Sequence, residues 1–129
     1  MNHWIRSATI AGLAVVLSGC VVAIGNEDFE RDSRWQEIQR ENSAAVERLE
    51  LGMSVDEVRG RMPHPPEFSE AFVIEGVEYR TLFYRTRRVE ADGETTVDET
   101  TPVIFADGRL DAWGREAWRS LIGDPSQTR

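Results

Sequence analysis

The sequence predicts an α+β domain: two N-terminal helices packed on an antiparallel meander of three to four strands, with a short C-terminal helix. Three observations lead there. Apolar residues recur at helical spacing as far as Met62, β-rich runs follow the Pro63-His64-Pro65-Pro66 segment, and acid–glycine pairs punctuate those runs. Helices followed by strands, rather than alternating with them, make an α+β layout.

The first element is an address rather than part of the fold. Residues 1–19 hold a single cation, Arg6, then an apolar run from Ala8 to Leu17, followed by Ser18-Gly19-Cys20. That run suits an export signal and is short for a membrane span, which needs about 20 apolar residues. Leu17-Ser18-Gly19-Cys20 resembles the bacterial lipobox, and the resemblance implies cleavage before Cys20 and acylation of its thiol and amine. The competing reading is a free thiol in an uncleaved anchor helix, because Val21-Val22-Ala23-Ile24 prolongs the apolar stretch. Cleavage would leave 110 residues and move the net charge from −8 to −9. Val21 after the cysteine, where inner-membrane lipoproteins carry Asp, implies by the same resemblance an outer-membrane anchor facing the periplasm.

Residues 20–31 then read as lipidated cysteine and tether, 32–122 as the domain, and 123–129 as a polar tail. From Asp32 to Leu49, the residues Trp35, Ile38, Ala45, Val46 and Leu49 form one helical stripe that includes Asn42, and Gly52 is expected to end the helix. Ser54 and Glu57 form a capping box, with Met53 and Val58 at the staple positions. Val55, Val58 and Met62 make the inward stripe of this second helix, and Pro63 stops it. Strands are expected near 67–74, 77–89, 96–106 and 109–114, joined at Glu75-Gly76, Asp92-Gly93 and Asp107-Gly108. The last helix is expected from Arg115 to Leu121.

Two-residue turns at all three pairs would place Phe72 opposite Tyr79, Arg87 opposite Asp98 and Phe105 opposite Leu110. One sheet face would then collect Ala71, Val73, Leu82, Tyr84, Val103, Phe105 and Leu110. The other would collect Phe72, Ile74, Val77, Tyr79, Phe83, Ile104 and Trp113. Two helices cover one face. The second is therefore either closed by the C-terminal helix through Trp118 or left as an aromatic surface for a partner.

The segment Leu49 to Val58, L-x-L-G-M-S-x-x-E-V, resembles the start of the SmpA/OmlA domain, which includes the barrel-assembly lipoprotein BamE. Phe68-Ser69-Glu70-Ala71-Phe72, Leu82-Phe83-Tyr84-Arg85-Thr86, Arg88-Val89-Glu90, Thr101-Pro102 and Trp113-Gly114 resemble a related family of short bacterial lipoproteins of unknown function. The resemblance implies a helix–helix–sheet fold at the periplasmic face of the outer membrane, and it brings no catalytic residue. Met62-Pro63-His64-Pro65 stands where BamE-like domains place an L-G-x-P turn.

Composition narrows the chemistry. The chain has 129 residues, a net charge of −8, one cysteine and, among its 15 basic residues, only arginine. Without lysine there is no Schiff base and no P-loop, and one cysteine allows neither an internal disulfide nor a thiolate zinc site. The acidic balance argues against nucleic acid as a partner. His64 lies between prolines and needs a nearby carboxylate for catalysis or metal binding, with Glu67 and Glu70 nearest in sequence. Asp92, Glu94, Asp98 and Glu99 do not match a calcium loop. Arg80, Arg85, Arg87 and Arg88 crowd one strand, as cross-strand ion pairs or as an anion site.

The expectation is a non-catalytic outer-membrane lipoprotein, anchored through Cys20, that binds an envelope protein through Phe72, Tyr79, Phe83 and Trp113. Trp118 is a core candidate that could also anchor a partner. The alternative is an anionic-lipid binder using Arg80, Arg85 and Arg88, and the distant alternative is a hydrolase. No cofactor, metal, nucleic acid or small-molecule substrate is expected.

Overall fold

A computed structural model describes residues 26–89 and 92–123. The elements run α1 (Asn26–Val46), α2 (Val55–Arg61), β1 (Phe68–Ile74), β2 (Val77–Arg85), a 3-10 turn (Val97–Glu99), β3 (Thr100–Ala106), β4 (Arg109–Trp113) and α3 (Arg115–Ile122). The sheet is an antiparallel meander in the order β1-β2-β3-β4. The α+β class holds, with α3 following the sheet.

The first helix ends earlier than expected. It stops at Val46, and Arg48 and Leu49 donate to the carbonyls of Ala45 and Val46 in tight turns. Gly52, at φ 87°, serves instead the turn that leads into α2. In α2 the capping box forms as read: Ser54 Oγ accepts from Glu57 N–H at 3.1 Å, and the Glu57 carboxylate accepts from Ser54 N–H at 2.8 Å. That backbone hydrogen bond holds the Glu57 carboxyl below its ordinary range. Its contribution is therefore present above the ordinary carboxylate range and lost as pH falls through the lowered folded-state value. Ser54→Ala is expected to cost about 1 kcal/mol, a drop of about 4–8 °C in a thermal melt.

The Glu75-Gly76 turn (φ 50° and 81°) and the Asp107-Gly108 turn (φ 47° and 80°) have the paired positive φ angles of tight hairpins. The registers follow, with Phe72 opposite Tyr79 and Phe105 opposite Leu110. Asp92-Gly93 does not close a two-residue hairpin. β2 and β3 part at Arg85 and Thr100, because Glu99 gathers the connection around itself. Its carbonyl accepts from Thr86 and Arg87 N–H, and its carboxylate accepts from Val89 and Thr96 N–H. Arg87 meets Asp98 through the Asp98 carbonyl, not as a strand pair.

The register shifts between Ile104 and Phe105, which sets Trp113 opposite Val103. This bulge moves Trp113 off the Phe72–Tyr79–Phe83 face, where uninterrupted pairing would have put it. Trp113 packs instead with the helix-side core of Val46, Leu49, Val58, Leu82, Tyr84 and Phe105. The second face is closed by α3, whose Trp118 packs on Phe83 and Ile104. The sheet is thus a middle layer between α1–α2 and α3.

Candidate partner-binding rim on the β1–β2 hairpin

The hairpin turn fixes the aromatic geometry of the second face. Phe72 and Tyr79 stack with centroids 5.9 Å apart, and Phe68 stacks on Phe83 at 4.6 Å. Trp118 meets Phe83 edge-on at 5.1 Å and Phe72 at 5.9 Å. Phe83 consequently has no exposed surface and is core, whereas Phe72 and Tyr79 remain half-buried at the rim of α3. Of the four residues expected on the aromatic surface, only Phe72 and Tyr79 can touch a partner as part of one patch. Beside them, β1 extends past the helix-side core cluster. Ala71 is exposed and Val73 is 67% exposed, the highest value among the large apolar residues described.

The arginines do not converge. Arg85 is buried, 3.8 Å from the Glu99 carboxylate, bonded to Thr95 Oγ1 and lying 4.2 Å over the Trp35 ring. Arg88 pairs with Asp32 of α1 at 3.3 Å. Arg80 is exposed on the opposite sheet face from Arg85, as the odd separation along one strand requires. An anion site built from Arg80, Arg85 and Arg88 is therefore absent from this geometry, and ion pairing accounts for Arg85 and Arg88.

His64 does have a carboxylate partner, and it is neither Glu67 nor Glu70. Nε2 lies 2.6 Å from Oε2 of Glu41, 23 residues away on α1. The contact clamps the Pro63–Pro66 loop to the first helix, and only the tertiary packing of α1 could reveal it. Asn42 is the other unforeseen tie: fully buried on the apolar stripe, it donates to the Arg85 carbonyl at 2.9 Å, while Ser43 Oγ donates to the Thr86 carbonyl at 3.1 Å. Tyr84 is buried on the helix side, and desolvation pushes its phenol above its ordinary value, so it stays protonated at neutral pH.

Among the described residues, no group of three or more His, Cys, Asp or Glu side chains could hold a metal ion. A shallow groove of about 320 Å³ lies between α3 and the 3-10 turn, lined by Val97, Pro102, Arg115, Trp118 and Ile122. Both of its arginines are engaged, Arg115 Nη2 donating to the Asp98 carbonyl at 2.6 Å and Arg119 Nη1 to the Glu116 carboxylate at 3.0 Å. Cys20, the expected lipidation site, lies outside the described residues, as do residues 21–25 of the expected tether and residues 124–129, whereas residues 26–31, read as tether, are the start of α1. No helix among the described residues is long and apolar enough to cross a membrane.

The family model described as "Protein of unknown function (DUF3192)" matches residues 18–120. The chain belongs to this family. The DUF3192 match spans α1 to most of α3, so the rim, the Glu41–His64 clamp and the buried arginine all lie inside it. It also includes Cys20. No curated protein and no solved structure matches the chain.

Proposed function

We propose that this DUF3192 member is a non-catalytic outer-membrane lipoprotein whose domain binds another protein of the cell envelope. In this reading Cys20 carries the lipid, the segment between it and α1 forms the tether, and the β1–β2 rim meets the partner at the periplasmic face. A kinship with the SmpA/OmlA domain, carried by Leu49 to Val58, belongs to the same proposal. The observation that carries the binding role is the rim itself. Phe72 and Tyr79 keep part of their apolar surface open at the rim of α3, and Val73, on the other face of the same edge strand, is exposed. The groups with catalytic or anion-binding chemistry support it from the other side, since His64, Arg85 and Arg88 are engaged within the fold.

Tyr79 is half-buried at the edge of its cluster, so a charge there disturbs the rim more than the core. Tyr79→Glu is expected to abolish partner co-purification from solubilised membranes while the melting temperature falls by no more than a few degrees. A collapse in melting temperature would make Tyr79 a core residue and remove the support for the rim. Unchanged co-purification would place the contact elsewhere.

A further inference from the structure

We propose that the partner engages β1 by strand addition, contributing an extended segment that carries basic residues and becomes a fifth strand. This rests on the protein-binding reading and specifies its mode.

Among the described residues, the sheet order leaves β1 with a neighbour on one side only. In an antiparallel ladder, alternate residues turn N–H and C=O away from the neighbouring strand. Ile74 and Val77 flank the tight turn as a bonded pair, so Ser69, Ala71 and Val73 are the outward residues. Two further bonds agree with that phase. Glu67 N–H donates to the Phe83 carbonyl at 2.8 Å, and Asp107 N–H donates to the Glu78 carbonyl at 2.8 Å. The odd residues of β2 thus serve β1, and the even ones serve β3. Among the described residues, nothing meets the outward groups of Ser69, Ala71 and Val73.

The opposite edge is managed differently. Met53 and the adjoining turn cover β4, with Gly52 N–H donating to Leu110 O at 2.8 Å and Leu110 N–H to Met53 O at 2.7 Å. Natural edge strands are blunted by Lys, Pro, inward charges or a bulge. From Ser69 to Ile74, β1 carries none of these except Glu70, and its outward residues are small or apolar. An unpaired backbone edge flanked by apolar side chains is what an added strand recognises.

Charge selects the occupant. Glu67, Glu70, Glu75 and Glu78 surround this edge, all exposed, and none forms an ion pair among the described residues. Arg80 is the only nearby cation of the hairpin, one strand further in. A second copy of the chain is disfavoured. Antiparallel self-pairing centred on Ala71 would set Glu67 against Glu75 of the other copy, and like charges directly opposite destabilise a ladder. The chain's net charge of −8 adds to that repulsion. A segment with Lys or Arg on the face of Glu78 and apolar residues on the face of Phe72 and Ile74 complements both, since strand alternation puts Glu78 and Phe72 on opposite faces.

The test is hydrogen exchange and affinity of the full chain with a synthetic peptide of alternating lysine and valine, compared with its glutamate–valine counterpart. Slower exchange at the Ser69, Ala71 and Val73 amides, with the lysine peptide alone, is expected. Ala71→Pro removes an outward N–H that makes no bond within the sheet, and proline is tolerated at such edges. It is expected to weaken the lysine peptide by roughly tenfold or more. Should Ala71→Pro fail to fold, Val73→Lys keeps the backbone and repels the same peptide, with the same weakening expected. Protection elsewhere, equal binding of both peptides, or affinity unmoved by the edge variants would overturn strand addition. Because the probe is synthetic, this result is separable from the Tyr79→Glu experiment. A partner lost with Tyr79→Glu but retained by the edge variants would overturn the strand mode and leave the protein-binding role standing.

Discussion

Glu99→Ala should remove about 3–5 kcal/mol of stability, the typical cost of breaking a buried ion pair on one side. Arg85 and Glu99 each retain 1% of their side-chain surface, and the guanidinium sits between the carboxylate at 3.8 Å and the Trp35 ring at 4.2 Å. Removing Glu99 leaves that cation buried with only the Trp35 ring and the Thr95 hydroxyl beside it, and neither that hydrogen bond nor cation–π attraction of about 2 kcal/mol replaces a counter-charge. It also strands the N–H groups of Val89 and Thr96, which donate to the same carboxylate. At about 4–8 °C per kcal/mol, the melting temperature should fall by more than about 10 °C. Replacing both partners, Arg85→Met with Glu99→Leu, should recover part of the loss and not all of it. The unpaired charge disappears, while the orphaned backbone donors remain. A melting temperature within a few degrees of the parent chain would show that the pair lacks this weight.

Trp118→Ala should also be severe, about 3–5 kcal/mol by the usual cost of deleting a buried Trp. Trp118 is 8% exposed and holds α3 onto the sheet through its contacts with Phe83 and Phe72. Its loss differs in kind from that of Glu99. Losing Glu99 loosens the β2–β3 connection, whereas losing Trp118 uncovers the Phe83–Ile104 face and lets α3 detach. Dye binding to newly exposed apolar surface should therefore rise below the unfolding transition in Trp118→Ala and not in Glu99→Ala. A cooperative melt close to that of the parent chain, without added dye binding, would mean that α3 contributes little to closing the sheet.

Local chemistry made much of this fold legible. Ser54 and Glu57 form an N-terminal cap whose partners lie three residues apart, and the acid–glycine turns at 75–76 and 107–108 need only two residues with positive φ. The register of the first hairpin follows from its turn alone. What could not be read depends on distant partners. The β2–β3 connection looks like another tight turn at Asp92-Gly93, but Glu99 buries itself against Arg85 and collects backbone donors from both sides of the loop. The bulge at Ile104/Phe105 has no signature in the strand pattern, and a shift of one residue sends Trp113 to the other face.

The candidate site divides in the same way. Phe72 opposite Tyr79 was legible as a hairpin pair, but the burial of Phe83 depends on where Trp118 lands. The crowding of Arg80, Arg85 and Arg88 suggested one site because they are close in sequence. Strand alternation separates Arg80 from Arg85, and the departure of the chain after β2 takes Arg88 to Asp32. Glu41 could not be paired with His64 from sequence, because the contact forms only when α1 lies against the proline loop.

The central proposal is that the β1–β2 rim is where this protein meets its partner. It is tested most directly by placing a photo-crosslinking residue at Val73 and, separately, at Leu51, in the full chain in intact cells. The two side chains are equally exposed, at 67% and 66%, and both are apolar, but Leu51 lies in the turn beside β4 at the far edge of the sheet. A discrete protein adduct at position 73 that is absent at position 51 is the predicted result. The same adducts at both positions, or an adduct at 51 alone, would contradict it.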